Sequence, residues 1–195
     1  MQSQLSKTFK GWLGEKQIAW LLNKLPSDKY KVINCILLRN RYSKCSITNI
    51  DSIIISEYGI FVIEIKNWHG TLFGDCFDEM WTLNNLELYN PLRQNYCHSQ
   101  LIKQLFNLNN EVIPIIVFVN KIKLNLSIKD TDIVVTSDKL LDTITSFKTR
   151  LIDSEDLTKI VETIEESNIN SFVSRIKHII VVKKHIKQKQ MINKY

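Results

Sequence analysis

The sequence predicts a fold of mixed helices and strands organised around one β-hairpin, and three stretches carry that prediction. Asn49–Trp68 reads NIDSIIISEYGIFVIEIKNW, two runs rich in Ile, Val and Phe about a short turn at Glu57-Tyr58-Gly59, the pattern of a hairpin. Ile18, Leu21, Leu22 and Leu25 recur at helical spacing. Val112–Val119 is a nearly continuous apolar run, as in a strand buried on both faces.

Composition narrows the class. A chain of 195 residues with 44% hydrophobic and 24% charged residues has the make-up of a globular domain and can bury a full core. The first 25 residues mix Lys, Glu and Gln with apolar residues, so a signal peptide is not expected. The longest apolar run is too short to span a membrane. Cys35, Cys45, Cys76 and Cys97 form no CxxC pair, which argues against a zinc site or a disulfide framework and for free thiols in a reducing cytoplasm. The net charge of +6 is uneven: residues 175–195 hold seven Lys or Arg and no acid, which leaves −1 for the rest.

Taken in order, Phe9–Leu25 is expected to be a helix closed by Pro26-Ser27-Asp28. Gly11 and Gly14 would let it approach another backbone closely. Glu15 shares its apolar stripe, where a carboxylate needs a partner; alternatively it stands at an exposed helix start, favoured by the dipole. Tyr30–Leu38 is a strand, followed by a polar loop, Arg39–Thr48, whose Arg39, Arg41 and Lys44 are available to a phosphate backbone. After the hairpin, Thr71–Phe73 and Met80–Leu83 read as short strands. Trp68 and Trp81 could stack on bases, but core packing is the expected role of each. Asn90-Pro91 opens a second helix, with Asn as N-cap and Pro at the first position. Gln94, Cys97, His98, Leu101, Leu105 and Leu108 form its stripe. Helix N-termini attract phosphates, which would set Gln94 and His98 at the rim of a cleft, although a core role for His98 is the ordinary reading. Pro114 places the start of the Val112–Val119 strand near an edge or bulge. Asp132–Thr136 is a strand, and helices follow at Asp138–Phe147 and Ser154–Ser167, the latter capped by Ser154.

The hairpin carries three charges, Asp51, Glu64 and Lys66. Strand residues alternate faces, so Glu64 and Lys66 point the same way. A Glu57-Tyr58 loop sets Asp51 opposite Glu64; a Tyr58-Gly59 loop sets it opposite Lys66; a three-residue loop without a bulge breaks the cluster. Two adjacent carboxylates repel, and one stays protonated unless a cation sits between them. A divalent metal suits such hard oxygen ligands, and Lys66 would orient or deprotonate a water beside it. That is equipment for phosphodiester hydrolysis. An exposed salt-bridged strand face is the alternative.

The assembled residues resemble the nuclease-related domain (NERD) family, a branch of the PD-(D/E)XK nuclease superfamily. The carriers are Gly11-x-x-Gly14-Glu15, Ile50-Asp51, Gly59–Asn67 with Glu64-Ile65-Lys66, then Gly70, Trp81 and Asn90-Pro91 with Gln94 and His98. They span roughly Phe9 to Asn120. The resemblance implies an α/β, restriction-endonuclease-like fold: a mixed central sheet flanked by helices. It implies Mg²⁺ or Mn²⁺ held by Asp51, Glu64 and the Ile65 carbonyl, with Lys66 acting on the water and Glu15 and Gln94 beside the metal. Ile50 stands where the superfamily name has Pro, and His98 where many relatives have Tyr.

The expected organisation is a nuclease core over residues 1–125, an α/β extension of the same domain over 126–174 and a basic tail over 175–195. The expected function is metal-dependent hydrolysis of nucleic acid, DNA ahead of RNA, in the cytoplasm and without a membrane partner. Contacts to nucleic acid are expected from His98, Arg39, Arg41 and, in the tail, Lys183, Lys184 and Lys187. The competing expectation is a catalytically silent nucleic-acid-binding module of a plasmid, phage or defence system. Association into a homo-oligomer or larger complex is compatible with either.

Overall fold

The computed structural model describes residues 2–40, 47–109, 111–120 and 122–169; for 2–8 it describes the backbone alone. Arg41, Lys44, Cys45 and the basic tail with Lys183, Lys184 and Lys187 lie outside the described residues.

The elements in chain order are α1 (Gln2–Leu22), β1 (Lys31–Arg39), β2 (Ile47–Ser56), β3 (Gly59–Lys66), β4 (Thr71–Asp75), β5 (Met80–Leu83) and β6 (Leu86–Tyr89). They continue with α2 (Pro91–Phe106), β7 (Val112–Phe118), β8 (Lys123–Ser127), β9 (Ile133–Thr136), α3 (Leu140–Ser146) and α4 (Ser154–Ser167). They form two mixed sheets flanked by helices, a restriction-endonuclease-like α/β fold. One sheet has the order β1-β2-β3-β7-β9 and the other β6-β5-β4-β8. In the first, β1, β2 and β3 form an antiparallel meander, and β7 and β9 join in parallel.

The hairpin sits at the centre of the five-stranded sheet. Ser56 pairs with Gly59 and Ser52 with Ile63, so Glu57-Tyr58 is the loop, and the ladder ends one residue short of Asp51 and Glu64. Gly59 takes φ +134°, and a Cβ there would meet the Glu111 carbonyl oxygen at 2.8 Å, so only glycine fits this turn exit. The alternation of the hairpin divides the core. Ile54, Phe61, Ile63 and Ile65 face α1 and α3, against Ile18, Leu22, Leu140 and Ile144. Ile53, Ile55, Ile60 and Val62 face α2 and α4, against Ile102, Ile160 and Ile164. A third cluster around the fully buried Trp81 joins the sheets through Leu72, Ile116 and Phe118. Trp68 is half-buried with its ring 5.7 Å from that of Phe118.

Several expectations need correction. The helix expected at Phe9–Leu25 begins at Gln2 and gives way after Leu22 to tight turns, Lys24 N–H to Leu21 and Leu25 N–H to Leu22. Glu15 is therefore mid-helix, not at an exposed start. Gly14 does provide close approach, since a Cβ there would lie 2.9 Å from Asn67 Cβ; around Gly11 there is nothing within 4 Å. The buried stripe of α2 is Pro91, Asn95, His98, Ser99 and Ile102, whereas Leu105 and Cys97 are exposed. Asn95 wins its buried place by donating to the Val62 and Ile115 carbonyls at 2.9 and 3.1 Å. The cap of α4 is Asp153, whose side chain accepts from the Asp156 N–H, not Ser154. The strands β6 and β8 were not foreseen. Pro114 stands before the point where β9 begins to pair, at Ile115, so on that side its missing N–H faces no described strand.

Candidate active site

The site forms where the hairpin ladder ends. Beyond Ser52–Ile63 the Asp51 side chain replaces a backbone partner: its Oδ2 accepts the Ile65 N–H at 2.8 Å. On the same face Lys66 Nζ donates to Glu64 Oε1 at 2.5 Å and to Gln94 Oε1 at 3.0 Å. Gln94 is delivered by the first turns of α2, where Asn90 accepts the Leu92 N–H and Pro91 follows as the first helical residue. This is the cap that the sequence predicts.

His98 lies one turn further on. It is buried, with Nδ1 3.4 Å from Glu64 Oε2. That is ion-pairing range, but neither atom has a hydrogen-bond partner. The structure thus sets His98 against Glu64 inside the site instead of on an open surface. From the opposite face, Gly14 seats α1 against Asn67, whose side chain donates to the Lys10 carbonyl at 2.6 Å. That seating carries Glu15 into electrostatic reach of Glu64, Asp51 and Lys66. Asp51, Glu64, Lys66, Gln94, His98 and Glu15 are therefore gathered at one place. Arg39 is not: it is exposed at the end of β1, lining a separate cavity with Leu105 and Glu166.

The electrostatics are those of a site short of positive charge. Loss of water, then the charge of Glu64, pushes the Asp51 carboxyl well above its ordinary range, against the pull of the Ile65 N–H and Lys66. Burial, then Glu64, raises Glu15 as well. Burial would also raise Glu64, but Lys66 and then His98 outweigh it and hold Glu64 below its ordinary value. The Lys66 ammonium thus acts on all three carboxyl groups, joined by His98 at Glu64 and by Lys16 at Glu15.

The donor set fits a hard divalent cation. Glu64 Oε2 is buried and unpartnered beside Asp51, and carboxylate oxygens are what such a cation takes. Among the described residues no three His, Cys, Asp or Glu side chains gather as a ready-made cage, so carbonyl and water oxygens would complete the shell. Sequence reasoning missed Asn95, which carries no periodicity signal because it is a polar residue on a buried face.

A mixed sheet with this acid pair, lysine and helix-borne glutamine defines an α/β protein of the PD-(D/E)XK nuclease type. A model of the nuclease-related domain matches residues 10–119, more than half of the chain, and the chain belongs to that family. It is also similar to an uncharacterized protein of Bacillus anthracis, 29% identical over 178 residues, covering 88% of this chain and 82% of that one. No solved structure matches it. No helix among the described residues is long and apolar enough to cross a membrane.

Proposed function

We propose that the chain is a metal-dependent nuclease that hydrolyses phosphodiester bonds, with DNA as the first substrate to test. The carrying observation is the convergence of Asp51, Glu64 and Lys66 at the end of the hairpin ladder, with Glu64 Oε2 buried and without a hydrogen-bond partner. Asp51, Glu64 and the Ile65 carbonyl would hold Mg²⁺ or Mn²⁺, which when bound supplies Lewis acidity toward the phosphate. Lys66 Nζ, held between Glu64 and Gln94, would orient the attacking water and, as the neutral amine, take its proton. Gln94 positions that ammonium, and His98 steadies the second oxygen of Glu64. Glu15 adds negative charge at the rim, strengthening the attraction for a cation.

The test is incubation of the full chain with labelled single- and double-stranded DNA and RNA, with Mg²⁺, Mn²⁺ or EDTA, beside Glu64→Ala. Cleavage that needs metal and is lost in the variant supports the reading. No cleavage of any substrate with either metal would make the protein a nucleic-acid-binding module that keeps the fold.

A further inference from the structure

Next to the acid site lies a groove of about 470 Å³ between the exposed face of α2 and the ends of β1 and β2. Gln94 and His98 belong to its wall, so it is continuous with the centre where Lys66 meets Gln94. Its lining is neutral: among the described residues around it there is no Lys, Arg, Asp or Glu. What it offers instead is the side-chain amides of Gln94, Gln100 and Gln104, and the rings of Tyr89 and Tyr96. Tyr96 is 62% exposed and Tyr89 44%, so both rings are accessible from solvent. Tyr89 and Tyr96 also line a second cavity, of about 450 Å³, which adds two cations, Arg93 and Lys129, and one acid, Asp132.

These two chemistries divide a nucleotide between them. A phosphate seeks cations, and the described residues of this groove give it none. A nucleobase seeks amide donors and acceptors for its edge and an aromatic face on which to stack. Bases inside a duplex are already paired and stacked, and enter a side pocket only after being unpaired. We infer that the neutral groove takes an unpaired base of the substrate strand, stacked on Tyr96 and met by the glutamine amides, while the strand crosses the tyrosines toward Arg93 and Lys129. The substrate class is therefore single-stranded or locally unpaired nucleic acid. This rests on the nuclease reading of the adjoining site.

The test measures binding without cleavage, in EDTA, by fluorescence anisotropy of the full chain with three labelled probes. They are a single-stranded 12-mer, its duplex, and a 12-mer of abasic nucleotides with the same phosphates. The single strand should bind tightest of the three. Tyr96→Ala, at a solvent-exposed position, should weaken it roughly 5- to 150-fold, the range for one lost stacking contact, and leave the abasic strand unchanged. Tyr96→Phe should retain binding. Equal binding of all three probes, no loss in Tyr96→Ala, or a loss shared by the abasic strand overturns the base groove. A protein that passes this test yet cleaves nothing with Mg²⁺ or Mn²⁺ keeps the groove and loses the nuclease reading; equal cleavage and equal binding of duplex loses the groove alone.

Discussion

Lys66 on β3 donates to Gln94 on α2 across 3.0 Å, and the same ammonium lies 2.5 Å from Glu64. The lysine is thus fixed from a second element, and its removal separates cation binding from chemistry. Lys66→Ala frees Glu64 Oε1, so Mg²⁺ or Mn²⁺ titrated by calorimetry should bind at least as tightly as in the parent. Single-turnover cleavage should fall by a factor of order 10² or more, the scale of a positioned proton-transfer group. Lys66→Arg should not restore it fully, since a guanidinium stays charged and has another shape. A Lys66→Ala variant that cuts as fast as the parent removes the lysine from the chemistry.

Asp51 sets a pH dependence. Its carboxyl, ordinarily near 3.8, is raised in the folded protein, by burial first and by Glu64 second. The folded state therefore holds that proton more tightly than the unfolded one. This contribution to stability is complete below 3.8 and is lost as pH climbs through the raised value. Glu64, whose value is lowered despite burial, acts oppositely and loses its contribution as pH falls. Asp51→Asn removes the first effect and keeps an acceptor for the Ile65 N–H. In EDTA at neutral pH the variant should melt above the parent, and the gap should close in acid. Added Mg²⁺ or Mn²⁺ should raise the parent's Tm and not the variant's. Identical melting of both proteins at neutral and acid pH contradicts the charge crowding described here.

Asn95 is a prediction about the fold. Its side-chain amide serves carbonyls on both β3 and β7. Asn95→Leu keeps the branching pattern, adds some bulk and loses two hydrogen bonds, each contributing roughly 0.5–1.5 kcal/mol, or about 1–3 kcal/mol together. Urea denaturation should show a lower midpoint at unchanged slope. An unmoved midpoint means that these bonds are replaced by water.

The first two glycines should part company. Gly11→Ala meets nothing within 4 Å and should gain up to about 1 kcal/mol of helix propensity. Gly14→Ala gains the same propensity but drives its Cβ to 2.9 Å from Asn67 Cβ and 3.1 Å from Val119 Cγ2. Overpacking of that kind typically costs about 1–3 kcal/mol. Thermal melts should rise for the first variant and fall for the second; the reverse order would show that α1 is not seated at Gly14.

The parts legible in the sequence are those where local chemistry and tertiary packing agree. Ile, Val and Phe about Glu57-Tyr58-Gly59 specify a hairpin, and the period of two places Asp51, Glu64 and Lys66 on one face. Asn90-Pro91 marks a helix start because cap and fixed φ serve the same end. The loop register is open in the sequence because a two-residue loop at Glu57-Tyr58 or at Tyr58-Gly59 satisfies the same pattern; Ser56 pairing with Gly59 decides for the first. The stripe of α2 was misplaced because its buried face holds Asn95, His98 and Ser99, while Leu105 faces solvent. Hydrophobic periodicity cannot locate a buried face made largely of polar residues. The strands β6 and β8 are four and five residues long, and β8 shows only a brief Leu124–Leu126 alternation. The caps Asp153 and Ser154 are adjacent residues with the same talent, which composition cannot separate.

The two faces of α2 are held by different constraints. Its inner residues, Asn95, His98, Ser99 and Ile102, are tied to the sheet and to Glu64, so a change there disturbs fold and chemistry at once. Its outer residues, Tyr96, Cys97, Gln100 and Gln104, touch the groove without bracing the sheet. Mutations can accumulate on that outer side while the reacting centre stays intact. Under the proposed function, the groove side of this helix can therefore change what it contacts while the residues around Glu64 keep their places.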